Sequence, residues 1–85
     1  MKKYATAYVN LAEVYVGEQQ YLRARESLKQ FDTLSKPTAK SLYLGYKTEF
    51  ALGDKEAAAK LASRLKFQFP NSDETDLLMT ELTGG

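Results

Sequence analysis

Eighty-five residues bound the chain to one small domain with a modest core, and 44% hydrophobic with 27% charged residues marks it as globular and not disordered. Twelve basic against eleven acidic residues leave a net charge of +1, which gives nucleic acid or an anionic membrane surface no electrostatic footprint to recognise. With no cysteine and no histidine, the chain has no disulfide, no thiolate metal site and neither the commonest general base nor the commonest metal ligand.

The chain opens Met1-Lys2-Lys3, the basic start of a signal peptide, but Thr6, Asn10 and Glu13 interrupt the apolar run that follows. The pattern predicts an amphipathic helix from about Lys3 to Val16 and no targeting segment. Nowhere does the chain hold the run of about eighteen apolar residues that a membrane span needs. Tyr8, Leu11, Ala12 and Tyr15 form one helical face, yet Ala5, Ala7, Val9, Val14 and Val16 spread apolar groups around most of the cylinder. A helix apolar nearly all round is normally covered on more than one side. The outer face of this one implies either a helical array continuing on its N-terminal side or a homodimer contact.

Gly17 to Gln20 is a turn, and a second helix is predicted from Tyr21 to Leu34, with Tyr21, Ala24, Leu28, Phe31 and Leu34 as its buried stripe. Arg23, Arg25, Glu26, Lys29, Gln30 and Asp32 are read as mostly solvated. Pro37 breaks the chain and Thr38 can cap a third helix, Thr38 to Leu52. That helix carries Leu42, Tyr43, Leu44, Tyr46, Phe50, Ala51 and Leu52 around its circumference, as suits a middle helix with neighbours on several sides. Gly45 within it costs roughly 1 kcal/mol of helix propensity, a cost that fits a second backbone passing close by. Gly53 and Asp54 make the next turn, and Asp54 can cap a fourth helix, Asp54 to Phe69, that Pro70 terminates. Ala57, Ala58, Leu61, Ala62, Leu65 and Phe69 line its apolar face. Asn71 paired with Glu74, or Ser72 alone, can cap a final helix in which Asp73, Glu74 and Asp76 complement the helix dipole. Leu77, Leu78 and Leu82, with Met79 at an edge, are placed to cover the fourth helix.

These elements echo one another. Ala58, Ala62 and Leu65 lie 34 positions after Ala24, Leu28 and Phe31, and Gly53 lies 34 after Gln19. A helix–turn–helix unit with that period resembles the tetratricopeptide repeat. Tyr8, Leu11, Ala12, Tyr15, Tyr21, Ala24, Leu28 and Phe31 stand at the family's key positions in a first unit, although the last is normally small. A second keeps Gly53, Ala58 and Pro70, but departs where Leu44-Gly45 comes one residue early and Glu49 replaces the usual Tyr. The reading is an all-α domain over 1–85: repeat units at about 5–38 and 39–72, then a capping helix at about 73–82, the C-terminal fragment of a longer superhelical array.

A narrower resemblance rests on Tyr43-Leu44-Gly45, Leu52-Gly53-Asp54, Leu61 to Phe69 and Pro70-Asn71-Ser72. These segments look like the C-terminal end of the type IV pilus biogenesis and stability proteins, tetratricopeptide lipoproteins of the outer membrane. The resemblance implies a pilotin role, assisting the secretin pore from the periplasmic face of the outer membrane. The lipidated Cys and the additional repeats of that family are not found in this chain.

No catalytic, cofactor-binding or metal-binding residues are assigned. Asp73, Glu74 and Asp76 are explained by capping, and Ser41, Ser63 and Ser72 have no histidine to activate them. The glycines lack the spacing of a phosphate-binding loop. In the repeat family the first helix of each unit lines a concave groove. The resemblance therefore implies a partner-binding surface made by Val9, Asn10, Glu13 and Val16 of the first unit with Lys40, Tyr43, Lys47 and Phe50 of the second. Tyr43 and Phe50 share a face with Lys47 and suit a hydrophobic or acidic peptide, although core packing would explain the same spacing. The implied function is a non-catalytic scaffold in pilus or secretin assembly. A generic cytoplasmic adaptor or co-chaperone, and an accessory domain of an enzyme, are the alternatives.

Overall fold

The computed structural model describes residues 2–84, and the fold is all-α. Five helices follow one another: α1 (Lys2–Gly17), α2 (Tyr21–Leu34), α3 (Ala39–Ala51), α4 (Lys55–Gln68) and α5 (Asp73–Leu82). Among the described residues there is no strand. α1 pairs with α2 and α3 with α4 as two hairpins, and α5 lies against α3 and α4. Local chemistry sets the boundaries. Thr38 and Ser41 form a reciprocal capping box at the start of α3. Asp54 accepts from the Ala57 amide at 3.0 Å to start α4, and Ser72, not Asn71, accepts from the Thr75 amide at 3.1 Å to start α5. The Thr75 hydroxyl in turn donates to the Phe69 carbonyl at 2.7 Å, tying the start of α5 to the end of α4.

The two hairpins share one register. Gln20 N–H donates to Tyr15 O at 2.8 Å, and 34 positions later Asp54 N–H donates to Glu49 O at 2.9 Å. Gln19 N–H to Val16 O is matched by Gly53 N–H to Phe50 O, and Ser35 N–H to Phe31 O by Phe69 N–H to Leu65 O. Gln19 and Gly53 both take left-handed backbone, with φ of 60° and 86°. α2 and α4 are each 14 residues long and bury the matching sets Ala24, Leu28, Phe31 and Ala58, Ala62, Leu65. The frame continues past the second hairpin: the Thr38 cap recurs as Ser72, and buried Ser41 and Leu44 recur as Thr75 and Leu78. By register, α5 takes the place that α1 and α3 hold in the two hairpins.

Two apolar cores result. Ala5, Val9, Ala12, Leu28, Phe31 and Leu44 make the first, so α3 contributes Leu44 to the core of the preceding hairpin. Leu42, Tyr46, Ala58, Ala62, Leu65 and Leu78 make the second. Three expectations are corrected here. Of the α5 residues placed to cover α4, Leu78 alone is buried; Leu77, Met79 and Leu82 are exposed. The space beside Gly45 is taken by the Leu61 side chain, 3.1 Å from where a Cβ would stand, and not by a backbone. Arg25 is not simply solvated. Its guanidinium donates through Nε at 3.0 Å and Nη2 at 2.6 Å to the two carboxylate oxygens of Glu49. That two-pronged pair joins α2 to α3 and accounts for an acid at the position where the first unit has Tyr15.

Candidate functional site

α3 lies between α1 and α5, which do not touch each other, so α1, α3 and α5 stand side by side. The eight residues proposed for the groove divide between this shared face and the interior. Val9 is only 8% exposed and belongs to the first core, so it offers a partner nothing. Val16 is half-buried against the same core. The helical phase explains both: Ala5, Val9, Ala12 and Val16 follow a three- and four-residue spacing on the α1 face that meets α2 and α3.

The other six reach the surface, and five of them take part in two polar links across α3. At the α1 side, Lys40 Nζ lies 2.8 Å from Glu13 Oε1 and donates to Asn10 Oδ1 at 3.5 Å. At the α5 side, the Tyr43 hydroxyl donates to Glu81 Oε1 at 2.8 Å, and Lys47 Nζ lies 3.9 Å from the same oxygen. Lys47 Nζ also sits 5.3 Å from the centre of the Tyr43 ring, within cation–π range. Burial, and then the hydrogen bond to Glu81, hold the Tyr43 phenol above the ordinary tyrosine range. Phe50 is 56% exposed and leans on Tyr46, ring centres 5.9 Å apart. Each ion pair is solvent-exposed and contributes about 1 kcal/mol or less, so a partner can replace it at little cost. The two aromatics of α3 thus differ: Tyr43 is engaged by α5, while Phe50 presents its ring to solvent.

Glu81 was absent from the sequence-derived set because its role depends on where α5 docks, 38 residues beyond Tyr43. A second concavity was also missed. α2 and α4 do not touch, and between them, floored by α3, runs a groove of about 770 Å³. Leu28 of α2, Gly45 of α3 and Leu61 of α4 give it an apolar lining, and Arg25, Asp32 and Arg64 stand on its walls. Burial raises the Asp32 carboxyl while Arg64 pulls it down. Glu49, which departs from the first unit's Tyr15, is the one sequence signal that this side of α3 is polar.

Among the described residues no group of three or more Asp, Glu, His or Cys side chains is arranged to hold a metal ion, and no helix is long and apolar enough to cross a membrane. No protein-family model, curated protein or solved structure matches the chain.

Proposed function

We propose that the chain is a non-catalytic protein-interaction scaffold of the tetratricopeptide type, and that the shared face of α1, α3 and α5 receives a peptide segment of its partner. The single observation that supports this reading is the 34-residue register, which recurs in turn geometry, helix caps and buried positions. Phe50 is the apolar anchor, and Lys47 one turn and Lys40 ten residues before it stand on the same helix. The setting we propose is type IV pilus assembly at the periplasmic face of the outer membrane, with a secretin or another pilus component as partner. That setting rests on the resemblance carried by Tyr43-Leu44-Gly45, Leu52-Gly53-Asp54 and Pro70-Asn71-Ser72.

A second reading has one observation in its favour. Tyr43 and Lys47 already converge on a carboxylate, that of Glu81, as an adaptor gripping an acidic or C-terminal peptide would require. Pull-down from envelope and whole-cell extracts with mass spectrometry separates the readings. Capture of secretin or pilus components, lost on Phe50→Ala with Lys47→Ala in a variant of unchanged circular dichroism, supports the first. Capture of cytoplasmic chaperones by the same residues moves the assignment to the second. Undiminished capture by the variant contradicts the proposed face in both.

A further inference from the structure

The carboxylate that ties α5 to α3 sits on the proposed peptide-binding face. The Tyr43 hydroxyl donates to Glu81 Oε1 at 2.8 Å, and Lys47 Nζ lies 3.9 Å from the same oxygen. A phenol and an ammonium one turn apart on α3 are thus both turned onto a single acid. The arrangement is open to water, with the Lys47 and Glu81 side chains 41% and 40% exposed. A carboxylate from another molecule reaches the same two donors once Glu81 leaves them.

Glu81 is placed to leave. α5 buries Thr75 and Leu78, and beyond Leu78 every described residue is exposed. The last turn of α5 therefore buries nothing, and its polar ties to α3 are those of Glu81. A helix end held in this way opens locally at low cost. The contact on the other side of α3 is different. Glu13, 2.8 Å from Lys40, stands between Ala12 and Val16, which pack in the first core, so it cannot move without α1. One carboxylate on the shared face is fixed and the other is releasable. Glu74, seven residues before Glu81, also acts electrostatically on the Tyr43 hydroxyl, so α5 lies against α3 much as an acidic ligand would.

We propose that Glu81 is an internal stand-in for a carboxylate of the partner peptide, and that the last turn of α5 keeps the Tyr43–Lys47 subsite closed until that carboxylate displaces it. The inference rests on the peptide-binding reading of the α1, α3 and α5 face, and adds to it the chemistry of the ligand and a built-in competitor. Lys47 stands one turn before the exposed Phe50, so the segment that fits carries an apolar side chain for Phe50 beside an acid for Lys47. Competition and release are reciprocal: a ligand in the subsite loosens the end of α5, and loss of the Glu81 charge tightens binding. An exposed pair biases the equilibrium modestly, leaving the subsite open on the order of a fifth of the time, so the gain is about fivefold at most.

Fluorescence anisotropy with a dye-labelled peptide of alternating Phe and Glu tests this, with a Phe and Gln peptide as the uncharged counterpart. Glu81→Gln keeps the shape and removes the charge, and should bind the Phe–Glu peptide about three- to fivefold more tightly than the unaltered chain. Glu81→Ala, which also removes the acceptor, should bind at least as tightly as Glu81→Gln. Tyr43→Phe with Lys47→Met, added to Glu81→Gln, should erase the gain. Glu56→Gln removes the same charge from α4 and should leave the affinity unchanged. In the unaltered chain, saturation with the Phe–Glu peptide should speed amide exchange from Thr80 to Thr83. All variants are compared at unchanged helical circular dichroism.

Equal affinity of the unaltered chain and both Glu81 variants, lost on Phe50→Ala, keeps the peptide-binding face and overturns the displacement of Glu81. Weaker binding by the Glu81 variants overturns it too, as does a gain shared by the Phe–Gln peptide or by Glu56→Gln. If no chain binds the Phe–Glu peptide, the carboxylate subsite and the proposed face fall together.

Discussion

The second helices of the two hairpins and their first helices follow different rules. α2 and α4 have the same length and bury the same three register positions. α1 and α3 share the frame but not the interior: α1 buries Ala5, Val9 and Ala12, whereas α3 buries Ser41, Leu42, Leu44, Gly45, Tyr46 and Thr48. Each second helix has its own first helix beneath it and one side in solvent, so one stripe suffices. The first helices differ in neighbours. α3 has α1 and α2 on one side and α4 and α5 on the other; α1 has α2 and α3 alone. The residues follow: small or polar Ser41, Gly45 and Thr48 fit where α3 is enclosed, and the apolar Leu11 and Val14 stand where α1 is open.

The largest effect that breaks this comparison is expected at a shared buried position. Leu65 is fully buried and is the counterpart of Phe31. Leu65→Ala removes a core side chain and leaves a cavity, and should cost about 2–5 kcal/mol in denaturant unfolding. Leu77→Ala, on the exposed side of α5, should change stability by less than about 0.5 kcal/mol.

The pair Val14 and Thr48 sharpens the contrast between first helices. Thr48 is fully enclosed, and among the described residues its hydroxyl oxygen has no hydrogen-bond partner. Thr48→Val keeps the shape and removes the unpaired polar atom, so it should stabilise the domain by about 1 kcal/mol. The reciprocal Val14→Thr, at the exposed counterpart, should change the monomer by less than about 0.5 kcal/mol. Thermal melts at dilute concentration check both signs.

Next in size is the turn. Gln19 holds the left-handed backbone that glycine holds at 53. Gln19→Gly relieves the Cβ contact and should stabilise by about 0.5–1 kcal/mol, less the added entropy of the unfolded chain. Gly53→Gln should cost a similar amount, making the two turns interchangeable in energy.

Much of this was legible in the sequence, because caps and helix stripes are local. The bounds of α2, the caps Thr38 and Asp54 and the correspondence of Gln19 with Gly53 follow from residues within a few positions of one another. The groove assignment was less legible. Val9 was placed on the binding face by family geometry, but α1 turns it inward against Phe31 and Leu44. The Arg25–Glu49 pair spans 24 positions and the Tyr43–Glu81 bond spans 38, and both depend on how hairpins stack. Long-range polar pairs have no period to betray them; Glu49, in a slot where the first unit carries Tyr15, was the nearest to a signal.

The smallest predicted effect concerns the α3–α5 link. Tyr43 keeps its proton in the folded state to higher pH than an unfolded tyrosine, whose ordinary value is about 10. Above that pH the unfolded chain has lost a proton that the folded chain retains, so stability present below pH about 10 declines as pH rises further. Tyr43→Phe should flatten that alkaline decline. Glu81→Gln should lower the Tyr43 midpoint part of the way, since burial, the larger cause, remains; tyrosinate absorbance follows the titration.

The central claim is that one 34-residue frame places α3 as the enclosed helix between two partly covered ones. Native-state hydrogen exchange at dilute concentration tests it most directly. The account predicts that the amides in the middle turns of α3 exchange slowest, through global unfolding, while those of α1 and α5 exchange earlier through local opening. Protection in α1 equal to that of α3 at the same dilution, or an α3 that exchanges ahead of both, would contradict it.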